Sequence, residues 1–292
     1  MSNATGFQLS QSRLRTGVVA AVALSACLCG LDTPPSATLQ TVDGLNSILW
    51  MRQAVEYEGV CRTVFQCAAL VLDGAIRHTG VDAPSVPNID DESRRLPLAV
   101  ILDVDETVLV NTRFMGRMLK SNQDFSPTEW AEWTQQQSTE LVPGAAEFVQ
   151  HAHAMGVRVF FVTNRDASQE ADTRVSLAAL GIPLSTEPDV VLCSGEMGWG
   201  SDKTSRREWI ADRHTIVLVI GDDLNDFVNA NDLDAQGRAE VAAQNSSRWG
   251  RDWIIVPNPL YGSWKRSLLR TLPPDDGARR LEHEKQLVDS EY

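Results

Sequence analysis

Seven polar residues stand where their types and spacing could do chemistry: Asp103, Asp105, Thr163, Lys203, Asp222, Asp223 and Asp226. The first two close the stretch Leu98-Ala99-Val100-Ile101-Leu102-Asp103-Val104-Asp105-Glu106-Thr107, in which five apolar residues run into a pair of carboxylates one residue apart. In an extended chain residues i and i+2 project to the same side, so these carboxylates are expected to face one point. Close anions repel and need a shared proton or a cation. Carboxylate and carbonyl oxygens are what Mg²⁺ prefers. Alone, an Asp-x-Asp fits a solvated turn or helix cap equally well. Thr163 ends a second apolar run, Val157 to Val162, where its hydroxyl can donate to a phosphate oxygen or cap the next helix. Lys203 opens a predicted helix together with Arg206 and Arg207. A cation at a helix start opposes the helix dipole, which implies an anionic partner for Lys203; the two arginines read as a solvated face. The remaining acids follow Thr215-Ile216-Val217-Leu218-Val219-Ile220 as Gly221-Asp222-Asp223-Leu224-Asn225-Asp226.

These groups must be positioned by the elements before them. Short apolar runs at 98–102, 157–162, 189–193, 215–220 and 253–258 suit strands buried on both faces. Helical stretches alternate with them, among them one started by Val142-Pro143-Gly144-Ala145 and one over 169–180. That alternation specifies an α/β fold, a Rossmann-like parallel sheet flanked by helices, whose ligands gather at the strands' carboxyl ends. Residues 45–78 read as one long packing helix with the stripe Trp50, Ala54, Tyr57, Val60, Val64, Cys67, Ala68, Val71, Leu72 and Ile76. An insertion over about 112–141 carries Phe114, Trp130 and Trp133, with Ser126-Pro127 starting a helix. It would form a small, mainly helical cap over the reactive strand. Its aromatics, and Tyr261, can stack on a planar leaving group or simply pack the insertion. His151 and His153 read as solvated.

With 43% apolar and 22% charged residues, the 292-residue chain can bury a sizeable core. Its net charge of −13 and the lack of any Lys/Arg stripe exclude a nucleic-acid polymer as partner. Arg13 and Arg15 precede the apolar run Val18 to Leu24, too short to span a membrane but fitting a secretory signal. The tetrapeptide Leu24-Ser25-Ala26-Cys27 resembles a bacterial lipobox. Residues 1–26 are thus expected to be a lipoprotein signal peptide, with Cys27 as the lipidated residue. Residues 27–43 would be a tether, 44–271 the folded body and 272–292 a charged tail. An ordinary cleaved signal, with Cys27 incidental, also places the chain outside the cytoplasm. Cys61 and Cys67, six residues apart on one helix, cannot bridge within it.

Asp103-x-Asp105-x-Thr107, Thr163, Lys203 and Gly221-Asp222-Asp223-x-x-Asp226, taken in order, resemble the four motifs of the haloacid dehalogenase superfamily. Val142-Pro143-Gly144-Ala145, Phe161-Val162-Thr163-Asn164-Arg165 and Pro257-Asn258-Pro259-Leu260-Tyr261-Gly262-Ser263-Trp264 are similar to the class C bacterial acid phosphatases, lipoprotein 5′-nucleotidases of subfamily IIIB. The resemblance covers about residues 45–270. It implies a Mg²⁺-dependent hydrolase of small phosphomonoesters, anchored by lipid to the outer membrane. Asp103 would be the nucleophile and Asp105 the acid and base. Asp103, the Asp105 carbonyl and Asp222 would bind the metal, Asp223 and Asp226 its waters, and Thr163, Asn164 and Lys203 the phosphate. The family usually has Asn where this chain has Asp223, and often Asp where it has Asn225. A surface lipoprotein that binds a ligand or metal without catalysis is the alternative.

Overall fold

The computed structural model describes residues 44–79, 96–121, 123, 125–186, 188–268, 270 and 286. The expected signal, Cys27, the tether and nearly all of the expected tail lie outside the described residues. The chain begins with α1 (Leu45–Gln53) and α2 (Val55–Thr79). Ala54 between them is extended (φ −83°, ψ 127°), so the single helix expected over 45–78 is two. The break lets α1 pack on the insertion while α2 packs on the body, a tertiary preference that overrides local propensity. The buried side of α2 is Tyr57, Cys61, Phe65, Ala68 and Leu72. The expected stripe is therefore rotated: Val60 and Cys67 face outward. By length and composition α2 is apolar enough to cross a membrane, but that buried side lies against helix α5, introduced below, and the sheet.

Strand β1 (Leu98–Leu102) leads to β2 (Leu109–Val110), α3 (Thr112–Ser121), α4 (Pro127–Gln135) and β3 (Glu140–Leu141). The two short strands pair antiparallel, Leu109 with Leu141 and Val110 with Glu140. This clip gathers both ends of the inserted helices. Then come α5 (Ala145–Ala154), β4 (Arg158–Asp166), α6 (Glu170–Ala179), β5 (Val191–Ser194), α7 (Thr204–Ala211), β6 (Thr215–Gly221), α8 (Leu224–Phe227), α9 (Ala235–Gln244), β7 (Trp253–Ile255) and α10 (Ser263–Leu268).

The main sheet has the order β5-β4-β1-β6-β7, and every pair in it is parallel. From β1 the chain builds outward through β4 to β5, then crosses back to β6 on the other side. Such a reversal opens a crevice at the carboxyl end of the central strand. β1 is central and its Ala99, Val100 and Leu102 are fully buried, as an unbroken apolar run requires. β4 outlasts its apolar run: a register shift against β5 lets the ladder resume at Asp166 with Ser194, so Thr163 to Asp166 stay on the strand. β7 is shorter than expected, because Pro257 has no N–H to extend a ladder. His151 is not simply solvated; its Nε2 meets Asp73 Oδ1 at 2.7 Å and ties α5 to α2.

Candidate active site

Beyond Leu102 the chain does not stay extended. The Val104 carbonyl accepts from the N–H groups of Val108 and Leu109 at 2.9 and 2.8 Å, and Glu106 takes a left-handed φ of 59°. A non-glycine residue there costs on the order of 1–2 kcal/mol. The expected same-side projection of Asp103 and Asp105 therefore gives way to a turn, although both still line one cleft. Glu106 is fully buried; burial first, then the nearby Asp105 charge, push its carboxyl up to about 8.

Asp103 accepts a hydrogen bond from Lys203 Nζ, which also donates to Asp226 Oδ1 at 2.7 Å. The anionic partner implied for a lysine at the start of α7 is thus this pair of carboxylates. Asp222 is held by Thr107 Oγ1 at 3.1 Å and by Asn258 Nδ2 at 2.7 Å. One carboxylate oxygen each from Asp103, Asp222 and Asp226 lie within 4.8 Å of one another. Burial pushes Asp103 up to about 7 against the pull of Lys203. Burial, then Asp226 and Asp103, raise Asp222 well above the usual carboxylate range. Burial works against the charge of Lys203, yet the two carboxylates outweigh it and hold its ammonium above the ordinary value. One ammonium among three converging carboxylates leaves negative charge unanswered, so the residues fit a divalent cation. Gly221 is required beside them, since a Cβ there would come within 2.2 Å of Asp226 Oδ2.

The structure parts two acids that the sequence treated as a pair. Asp226 joins the converging set, whereas Asp223 caps α8 and accepts from Asn225 N (3.0 Å), Ser263 N (2.6 Å) and the Ser263 hydroxyl. Despite burial, these bonds and Arg238 hold Asp223 below the usual carboxylate range. Its oxygens fasten α10 to α8, while the residue also lines the cleft in which it is expected to hold metal-bound water.

Asp105 is gripped from two sides. Arg165 Nη2 donates to its Oδ1 at 2.7 Å and Nε to its Oδ2 at 3.0 Å, and Asn111 Nδ2 donates to Oδ1 at 2.8 Å. Trp133 Nε1 in turn donates to Asn111 Oδ1 at 3.0 Å. Trp133 is therefore buried among Phe114 and Met118 and does not line the cleft, which corrects its assignment as a stacking candidate; an indole N–H inside a core needs such an acceptor. Trp130 does line the cleft, with the Arg165 guanidinium 5.5 Å from its ring centroid. Phe114 and Tyr261 line it too.

At the end of β4, Thr163 Oγ1 accepts from Arg165 N at 3.1 Å, which leaves the hydroxyl proton for a ligand. Asn164 Oδ1 accepts from Arg206 Nη2 at 2.6 Å, so its amide NH₂ is presented to the cleft. Arg206 also donates to the Thr163 and Gly200 carbonyls and is fully buried. Arg207 donates to the Asn225 and Asp226 carbonyls at 3.3 and 3.0 Å. The solvated face expected for these arginines is instead a buried brace across the strand ends. Arg165, Asn111 and Asn258 received no role from the sequence; the one signal was their place just after apolar runs.

The cleft holds about 860 Å³, far more than a phosphoryl group fills. A parallel sheet with carboxylates, a lysine and hydroxyl and amide donors at its switch point defines a hydrolase built for phosphoryl transfer. The family model for HAD superfamily, subfamily IIIB (Acid phosphatase) matches residues 29–264, and the chain belongs to that family. A class B acid phosphatase of Morganella morganii is 27% identical over 172 residues, 56% of this chain and 71% of that relative. The class C acid phosphatase from Bacillus anthracis has the same fold, with a TM-score of 0.74 and 26% identity over 86% of this chain and 99% of that one. A second structure of it, with tungstate bound, gives 0.74 and 26% over 87% and 99%. The protein is an acid phosphatase, a phosphoric monoester hydrolase of small substrates.

Proposed function

We propose that this acid phosphatase is Mg²⁺-dependent, works outside the cytoplasm and prefers nucleoside monophosphates, which it hydrolyses through an aspartyl-phosphate. The observation that carries the reading is the convergence of Asp103, Asp222, Asp226 and Lys203 beneath an aromatic wall. Asp103 attacks phosphorus; its new bond to oxygen forms as the ester P–O bond breaks, and Asp105 gives the departing alkoxide its proton. Asp105 then takes a proton from the water that cleaves the aspartyl-phosphate and frees inorganic phosphate. Thr163, Asn164 and Lys203 hold the phosphoryl oxygens throughout. Mg²⁺, held by Asp103, Asp222 and a third oxygen from Asp226 or the Asp105 carbonyl, would neutralise charge developing on those oxygens. The relative's structure with tungstate bound supports the reading, because tungstate is an oxyanion like phosphate.

Trp130 and Tyr261 on the cleft wall support a planar group on the substrate. The sequence Leu24-Ser25-Ala26-Cys27 supports a diacylated cysteine at the mature N-terminus, and two chains are what stable anchoring needs. Hydrolysis of nucleoside monophosphates, nicotinamide mononucleotide and sugar phosphates by the full chain, with EDTA and then Mg²⁺ or other divalent ions added back, tests the reading. Nucleotides should be preferred and Mg²⁺ should restore activity. A chain that binds phosphate but turns over no ester in any metal is the non-catalytic lipoprotein instead. Cys27→Ser should release the protein from membranes, and an unchanged membrane fraction would refute the anchor.

A further inference from the structure

The cations of this cleft fall into two groups. Those on the floor are committed: Lys203 lies between Asp103 and Asp226, and Arg165 is forked onto Asp105. On the wall formed by α10 and the turn after it stand Arg266 and Arg270, which line the same cleft beside Lys265, a residue with a partner of its own. Arg266 is exposed and has no ion pair among the described residues. Arg270 meets the Asn231 carbonyl and Asp232 Oδ1, each at 3.4 Å, and the Asp232 side chain is 96% exposed. Contacts of that kind contribute almost nothing. Three cations within six residues repel one another. Arg266 also acts on half-buried Arg238, whose pKa is lowered by burial and further by this like charge. In a chain of net charge −13, gathering positive charge on one wall of a cleft is a local arrangement that general solubility does not require. A single phosphomonoester, already received by Lys203 and the donors of β4, has no use for it.

We propose that the α10 wall is a second anion subsite, centred on Arg266 with Arg270, which takes the second phosphate of a bisphosphorylated small molecule while its first phosphate lies over Asp103. The inference rests on the phosphatase reading above and extends it to a substrate class. Bidentate capture by a guanidinium is the geometry that a phosphate recognises. The volume of about 860 Å³ leaves room for both groups and the scaffold between them. Nucleoside bisphosphates and sugar bisphosphates share this chemistry, and the assay separates them.

The test measures KM and kcat of the metal-loaded full chain on two matched pairs, adenosine 5′-monophosphate against adenosine 3′,5′-bisphosphate and fructose 6-phosphate against fructose 1,6-bisphosphate. In the wild type at least one bisphosphate should have the lower KM, and that advantage should shrink as salt is raised. Arg266→Glu should raise the KM of that bisphosphate about tenfold and leave kcat and the KM of its monophosphate within about twofold. Arg266→Lys should retain most of the preference, because the charge remains. The pair that responds identifies the scaffold. Parallel changes for mono- and bisphosphates in both pairs, with monophosphate turnover intact, overturn the subsite and leave the phosphatase reading standing. No turnover of any ester by the wild type in any divalent metal overturns both.

Discussion

The floor of the cleft and the wall that the inserted helices raise over it are built on opposite terms. On the floor the carboxylates are each held by a partner: Asp103 has Lys203, Asp222 has Thr107 and Asn258, and Asp105 has Arg165 and Asn111. On the wall Phe114 is packed edge-on against Trp130 and Phe125, with centroids 5.1 and 6.3 Å apart. Phe125 is nonetheless 62% exposed. The floor is preorganised, so charge that develops there meets fixed dipoles with little reorganisation. The wall offers apolar area that can adapt to a scaffold. Substitutions on the floor should therefore act on rate, and those on the wall on the choice of ester.

The largest effect expected is that of Asp103→Asn, which keeps size and a hydrogen-bond acceptor but removes the proposed nucleophile. Turnover should fall by about 10⁴-fold or more, and a variant within tenfold of wild type by initial-rate assay would detach the floor from the chemistry. Lys203→Ala comes next. It strips the counter-charge from two buried carboxylates, at about 3–5 kcal/mol of stability, and should weaken inhibition by inorganic phosphate about 100-fold. Unchanged phosphate inhibition in a folded variant would break the assignment.

The two regions meet at Asn111, which joins Trp133 in the insertion to Asp105 on the floor. Asn111→Ala should lower kcat/KM for alkyl esters, whose leaving groups need a proton, about tenfold more than for p-nitrophenyl phosphate. Equal losses on both esters would mean that the residue serves only packing. Trp130→Ala tests the wall itself. The KM for nucleotides should rise about tenfold with kcat little changed, whereas glycerol phosphate, which has no ring to stack, should be indifferent.

The same contrast explains what could be read from the sequence. The floor announces itself because an unbroken apolar run such as Leu98–Leu102 has few uses other than a buried strand, and acids directly after it sit at a sheet's carboxyl edge. Lys203 could be suspected because its position disfavours a cation. Arg165 and Arg206 could not be assigned. A guanidinium reads as solvent-facing until its partners are known, and those partners, Asp105 and Asn164, are 60 and 42 residues away in the chain. The break at Ala54 is equally silent, since it answers to α3 and not to its own neighbours. Trp130 and Trp133 are the same residue type three apart on one helix, yet one lines the cleft and the other fills a core. Which is which depends on the position of Asn111.

The smallest effect expected separates the floor from the far part of the sheet, where His214 is buried. His214 is 8% exposed, its Nδ1 has no hydrogen bond among the described residues, and its ring lies 5.0 Å from that of Phe160. Burial, then the like charges of Arg158 and Arg213, lower its pKa below the ordinary 6.5, although a backbone bond to Ile210 works the other way. The native protein thus keeps this imidazole neutral in a range where the unfolded chain takes up a proton. Its contribution to stability is complete above pH 6.5 and is lost as pH falls through the lower native value. His214→Phe removes that titration, so the drop in melting temperature between pH 8 and pH 5 should be smaller for the variant by a degree or so, about what a fraction of a kcal/mol produces. Hydrolysis at pH 8 should not change. If kcat fell along with the altered pH response, the far part of the sheet would be coupled to the floor, and the division between a rigid chemical centre and an independent surrounding would fail.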